Sequence, residues 1–290
     1  MLQVIPCCKD KAASSLGSRF LVATVWWCLL LLSVGVVLAQ ESTAAAAFHW
    51  IDDEDYAPFI SRGEDGAPVG IYRDIMVEAF KRLGIPLAVE VYPWKRAQKY
   101  VEEGRGDGMI TALTEKRRVR FLATDPIYIV DERVFARRDN PRFQEIMGIK
   151  SIDGLTGFKL VDTIGAGWAE ENFTGLDVIW ASSHSSALKL LASGRVDIYV
   201  LGKFPGLIDI RRRIAENSPY KEGLRKLVFG PHTLHQVRYS LLIRKDSPFT
   251  SIIPEFNRVL KAMRDDGSYQ AILDRHLGDI GTTADEAEGR

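Results

Sequence analysis

The stretch Glu103–Pro126, EGRGDGMITALTEKRRVRFLATDP, decides how the chain is read. Gly104 stops one helix, Met109–Ala112 has the apolar run of a short strand, and Thr114 stands where a helix N-cap belongs. Glu115, Lys116 and Arg117 fill the turn behind it. A helix start leaves N–H groups unpaired and carries partial positive charge, so it favours an anion and disfavours a cation. Two readings of Arg117 follow. Either it receives an anion, a carboxylate held by the guanidinium fork together with the exposed amides, or it points into water as an ordinary surface arginine.

Outward from this stretch the chain alternates strand and helix. Phe48–Ile51 reads as a first strand, followed by the run Asp52-Asp53-Glu54-Asp55, expected to be a solvated acidic loop with a cation site at the cleft lip as the alternative, and by Tyr56-Ala57-Pro58-Phe59. Ile75, Met76, Ala79, Phe80 and Leu83 recur at helical spacing before Gly84, Leu87, Val89 and Val91 alternate as a strand, and Trp94–Glu103 is a second helix. This order predicts a parallel sheet with helices on its faces. Asn140–Asp153 has little periodicity, which suits a passage between two lobes. The alternation then restarts: strand Phe158–Val161, the turn Ile164-Gly165-Ala166-Gly167, helix Trp168–Phe173, strand Asp177–Trp180, a serine-capped helix ending at Gly194, strand Asp197–Leu201 and helix Pro205–Ala215. Val237–Ile243 is a further strand, and helices near Pro254–Asp265 and Tyr269–Leu277 close the chain, with a polar tail over 279–290 expected to be disordered. Gly104-Arg105-Gly106-Asp107 and Gly194-Arg195-Val196-Asp197 mark the same helix-to-strand step in each half.

Lys+Arg and Asp+Glu both number 38, so no basic excess attracts nucleic acid and no such partner is expected. Lys9, Lys11 and Arg19 precede the uncharged run Phe20–Leu38, and Val37-Leu38-Ala39 offers the small residues of a cleavage site. Residues 1–39 are therefore expected to be a secretory signal peptide delivering the rest to the periplasm, with an uncleaved membrane anchor as the alternative. All three cysteines lie in this leader.

Open parallel sheets bind ligands at the carboxyl ends of their strands. Tyr56, Trp94 and Arg117 follow the first, second and third strands, so two rings and a guanidinium can converge on a small acid. Arg96 adds a second possible cation, or is a helix-surface arginine. There is no GxSxG, P-loop or HExxH motif and no histidine–carboxylate cluster, so no catalytic residue, cofactor or metal is expected.

In the order and spacing of Tyr56-Ala57-Pro58-Phe59, Asp74, Gly106-Asp107, Thr114-Glu115-Lys116-Arg117, Asp125-Pro126-Ile127-Tyr128, Gly194-Arg195-Val196-Asp197 and Asp266-Gly267-Ser268-Tyr269, the chain resembles the family 3 extracellular solute-binding proteins. The resemblance implies an α/β, two-lobed periplasmic binding protein fold of type II. Each lobe would be a mostly parallel sheet flanked by helices, with a two-strand hinge near Val134–Arg138 and His235–Arg238. It implies a first lobe of 48–136 plus 238–278 and a second lobe of 137–237. It further implies that Tyr56 and Trp94 sandwich a small carboxylate-bearing ligand and that Arg117 grips its carboxylate, with Thr111 and Ala112 beside it and Gly167 and Trp168 reaching in from the second lobe. An ABC permease or a membrane sensor would be the partner, and a monomer is expected. Three sites depart from the family pattern. Ala112 stands where a hydroxyl residue is usual, Gly167-Trp168-Ala169 replaces a glycine followed by hydroxyl residues, and Gly202 stands where an aspartate would take the ligand's α-ammonium, which with Arg96 points to an acid without an amine or to a diacid. The alternatives are an enzyme on the same scaffold, similar to the cyclohexadienyl dehydratases, with Glu170 or Glu171 as its acid, and a ligand-less docking protein.

Overall fold

The first strand, β1 (Phe48–Asp53), buries Phe48 and Trp50 and runs two residues beyond the expected end at Ile51. Asp52 and Asp53 thereby lie inside the molecule and not in a solvated loop, because their carboxylates are bonded by interior donors such as the Trp50 indole. The computed structural model describes residues 46–288, with side chains to 278; the expected leader lies outside the described residues. β2 (Asp55–Tyr56), β3 (Ile60–Arg62) and β4 (Pro68–Val69) fold into a small antiparallel sheet over the end of β1. α1 (Ile71–Leu83) buries Ile71, Tyr72, Ile75, Met76, Ala79 and Phe80 along one face and ends at Gly84, whose φ of 68° forms a left-handed cap. β5 (Leu87–Tyr92) and β6 (Gly108–Ala112) flank β1 in parallel, joined by α2 (Trp94–Glu102). α3 (Glu115–Arg118) is a single turn, and β7 (Phe121–Arg137) follows it.

After α4 (Phe143–Met147) the second lobe is built from β8 (Lys159–Thr163), α5 (Gly167–Asn172), β9 (Asp177–Ala181), α6 (His184–Ala192) and β10 (Ile198–Gly202). α7 (Lys203–Ala215), α8 (Lys221–Leu224) and β11 (Leu227–Phe229) complete it before β12 (His235–Arg244) returns the chain to the first lobe, where α9 (Ile253–Asp265) and α10 (Ser268–Glu288) pack. The backbone of α10 runs on to Glu288, past the expected end at Leu277 and into the segment expected to be disordered. Ala284, Glu286, Ala287 and Glu288 are strong helix formers and outweigh Gly281.

The two lobes are hydrogen-bonded into one continuous sheet path, β5-β1-β6-β12-β7-β10-β8-β9. Within it β5, β1 and β6 are parallel, as are β10, β8 and β9, while β7 and β12 run antiparallel to their neighbours. The join is β7, whose 17 residues pair with β12 as far as Glu132 and with β10 from Glu132 to Phe135. The repeated Gly-Arg-x-Asp motif has one physical role in both lobes. Asp107 accepts the His49 N–H at 2.9 Å and Asp197 accepts the Lys159 N–H at 3.0 Å, so each clamps the first residues of the neighbouring parallel strand. Each motif opens with a positive-φ glycine, Gly104 at 87° and Gly194 at 71°.

Candidate functional site

The carboxyl ends of β1 and β6 in the first lobe face those of β8 and β10 in the second across a shared cavity. Arg117 lies at its floor, 7% exposed, so the surface-arginine reading does not hold. One guanidinium nitrogen, Nη1, donates to Thr111 Oγ1 at 3.0 Å and to the Ala112 carbonyl at 2.8 Å. The other, Nη2, donates to Gln98 Oε1 at 3.0 Å and to the Gly165 carbonyl at 3.1 Å. All four acceptors are neutral, and Arg117 takes part in no ion pair among the described residues. Burial lowers its pKa from the ordinary arginine value.

The amides expected to assist Arg117 are already used: its own N–H donates to Thr114 Oγ1 at 3.3 Å, and Lys116 N–H donates to Glu171 Oε1 at 3.3 Å. A one-turn helix has too few free amides to hold an anion alone. The Gly165 carbonyl of the second lobe accepts from three first-lobe donors, Trp94 Nε1 at 2.9 Å, Gln98 Nε2 at 3.2 Å and Arg117 Nη2. A Cβ at Gly167 would lie 3.0 Å from Arg117 Cζ, so glycine is what lets this turn settle against the guanidinium.

The aromatic groups surround the same space. Arg117 Cζ sits 5.7 Å from the Trp94 ring centre. Tyr56 stacks on His184 of the second lobe at 4.9 Å, and its hydroxyl donates to Tyr239 Oη at 3.3 Å. Trp168 stacks on His235 at 4.2 Å. Thus Tyr56, Trp94, Thr111, Ala112, Arg117, Gly167 and Trp168 line one cavity. Arg96 does not: it is exposed on α2, two positions from the inward Trp94 and so on another face of the helix. Gly202 is buried outside the lining. A Cβ there would meet Val130 Cγ1 at 2.4 Å and Pro205 Cγ at 2.9 Å, so that space is already filled. Glu170 and Glu171 face a neighbouring hollow, where Glu170 Oε1 accepts the Gly165 N–H at 2.9 Å.

Sequence reasoning placed the run Asp52–Asp55 at most at the cleft lip and missed Glu132 and Asp162 on the cavity's acidic side. Asp52, Asp53, Glu132 and Asp162 all line it. Asp52 is 2% exposed and accepts from Trp50 Nε1, Ile110 N and Asp53 N; burial still pushes its pKa up to about 6. Burial pushes Asp53 up to about 8 and Asp162 up to about 7. Glu132 is raised well above the carboxylate range, first by burial and then by the charge of Asp162. His184 Nδ1 lies 2.6 Å from Tyr199 Oη, and burial lowers its pKa. Asp52, Asp53 and Asp162 end strands whose carboxyl ends were legible, whereas Glu132 sits mid-strand in β7 and carried no signal.

At the rim, Asp55 of the first lobe is gripped by the second. Arg213 Nη2 reaches its Oδ1 at 3.2 Å and Ser185 N–H donates to its Oδ2 at 3.2 Å, while Asp209 holds Arg213 in place through a 2.9 Å bond from Nε. This ion pair and the Gly165 contact fasten the lobes on either side of the cavity.

The model of the bacterial extracellular solute-binding proteins, family 3, matches residues 49–279. The chain is 24% identical to the histidine-binding periplasmic protein of Escherichia coli (strain K12) over 264 residues, 86% of this chain and 96% of that one. Among solved structures it is similar to a histidine kinase sensor domain with similarity to periplasmic binding proteins, with TM-score 0.68, 24% identity and coverage of 81% of this chain and 97% of that one. It is also similar to an ancestral amino acid-binding protein described as a precursor of cyclohexadienyl dehydratase, with TM-score 0.62, 19% identity and coverage of 79% and 95%.

Proposed function

Because this chain belongs to the bacterial extracellular solute-binding proteins of family 3, we propose that its cleft captures a small solute bearing a carboxylate, seated against Arg117 and Trp94, and that the closed form is read by a membrane partner. The observation that carries this reading is a buried guanidinium whose protein partners are all neutral and one of which, the Gly165 carbonyl, comes from the opposite lobe. A buried cation without a counter-ion is costly, and an incoming carboxylate that displaces Gly165 supplies one. Lobe closure then excludes water from the pair. An ABC permease suits the likeness to periplasmic transport proteins, and a membrane sensor suits the likeness to a kinase sensor domain. The leader, cut or kept, directs this domain to the periplasm, where it acts as a monomer.

Calorimetric titration with the twenty amino acids and with succinate and glutarate tests the reading. At least one carboxylate-bearing probe binds the parent protein and is lost in R117M; a protein that binds none of them contradicts it. A second reading, a dehydratase-like enzyme, draws support from the buried acids Asp53 and Asp162, which hold protons near neutral pH. Incubation with prephenate or arogenate and detection of an aromatic product tests it, and absence of product removes it.

A further inference from the structure

We propose that Glu132, on the crossover strand β7, together with Asp162 at the end of β8, forms the seat for a primary ammonium of the captured solute. The register supports this. Glu132 stands directly opposite Gly202 in the antiparallel β7–β10 pair, and opposed residues of such a pair direct their side chains to the same face. Position 202 itself cannot carry a carboxylate, since Val130 and Pro205 fill the space of its Cβ. The carboxylate that faces the cavity at this level of the sheet is therefore that of Glu132.

Its surroundings call for a cation. The Glu132 carboxylate makes no hydrogen bond or ion pair among the described residues. Asp162 is 7% exposed, and the hydrogen bonds it accepts among the described residues, from Thr163 N at 2.6 Å and Thr163 Oγ1 at 3.4 Å, fall on Oδ1 alone. The basic groups lining the cavity do not serve the pair. Arg117 spends its terminal donors on Thr111, Ala112, Gln98 and Gly165, and His184 is engaged with Tyr199. Desolvation disfavours the charged form of each carboxylate and raises the pKa of both, that of Glu132 also through the charge of Asp162. A compact ammonium with three donors relieves both costs at once. This inference rests on the carboxylate-capturing cleft proposed above and reverses the expectation, drawn from Gly202, that the ligand lacks an amine.

The test pairs probes that differ only in the amine. The parent, E132Q and D162N are titrated calorimetrically with the twenty amino acids and with amine-free counterparts, including glutarate for glutamate and 3-(imidazol-4-yl)propanoate for histidine. The parent is expected to prefer an amino acid over its counterpart by about thirtyfold or more. E132Q is expected to lose most of that preference while keeping the counterpart's own affinity. Its unliganded melting temperature is expected to hold or rise, because a neutral amide replaces an uncompensated acid. Equal or tighter binding of the amine-free acids by the parent overturns the inference while leaving the cleft reading intact, as does a preference that survives in both E132Q and D162N. Binding of no probe at all overturns both.

Discussion

Replacing Arg117 by methionine keeps the side-chain volume while removing the charge and all four hydrogen bonds at the cavity floor. Two opposing effects act on the unliganded protein. Each bond from a charged donor contributes about 1.5–3 kcal/mol, but desolvating a guanidinium without a counter-ion costs several kcal/mol. The two largely cancel, so the melting temperature should move by no more than about 8 °C, equivalent to roughly 2 kcal/mol in a domain of this size. Ligand binding has no such cancellation. A carboxylate brought into the cavity without the guanidinium is a buried unpaired charge, and truncating one partner of such a pair costs about 2–5 kcal/mol, or about 30- to 4,000-fold in Kd. Lysine at 117 should not rescue binding, because one ammonium cannot serve the four acceptors and a carboxylate together. The assay is calorimetry of parent, R117M and R117K against whichever amino acid or acid binds the parent, with circular dichroism melts on the same samples. Unchanged affinity in R117M would refute the reasoning, whatever happens to the melting temperature.

Three further outcomes are expected. Burial raises Asp53 from 3.8 to about 8, so the neutral carboxyl favours the folded state below pH 4 and this contribution is lost as pH rises through 8. At about 1.4 kcal/mol per pH unit the loss between pH 5 and 7 is roughly 3 kcal/mol, so D53N should gain about 5–10 °C in melting temperature on the unliganded parent over that range; parallel melting curves would contradict it. D55N removes the rim ion pair with Arg213, worth about 1 kcal/mol at partial exposure, and should weaken ligand affinity about fivefold while enlarging the radius of gyration of the unliganded protein in small-angle scattering. D107A deletes the bonds that Asp107 accepts from His49 N and Ser247 Oγ and should destabilise the fold by about 2–3 kcal/mol in urea titration with no change in ligand affinity, since it lies away from the cavity.

Much of the architecture was legible because strand and helix alternate with clear stops. Gly84, Gly104 and Gly194 end helices at positive φ, Thr114 caps its helix as its position suggested, and Ser183 supplies the serine cap of the helix that stops at Gly194. The acidic run after β1 misled because charge in sequence reads as solvation, whereas Trp50, Ile110 and Asp53 supply interior donors that only the tertiary fold brings together. The cavity's aromatic and arginine side follows strand ends and was visible from spacing. Its acidic side was not, because Glu132 is set by pairing between β7 and β10, segments about 70 residues apart in a chain where nothing local marks the crossing. Arg96 failed for a local reason: neighbouring residues on a helix diverge by about 100° each, so an arginine two places after an inward tryptophan faces away.

The most direct test of solute capture is native mass spectrometry of protein purified without denaturation. The account predicts a small-molecule adduct on the parent protein, released by partial unfolding and refolding, and absent from R117M prepared in the same way. An adduct retained by R117M, or a parent protein that carries none and takes up none of the amino acids or organic acids offered to it, would contradict the central claim.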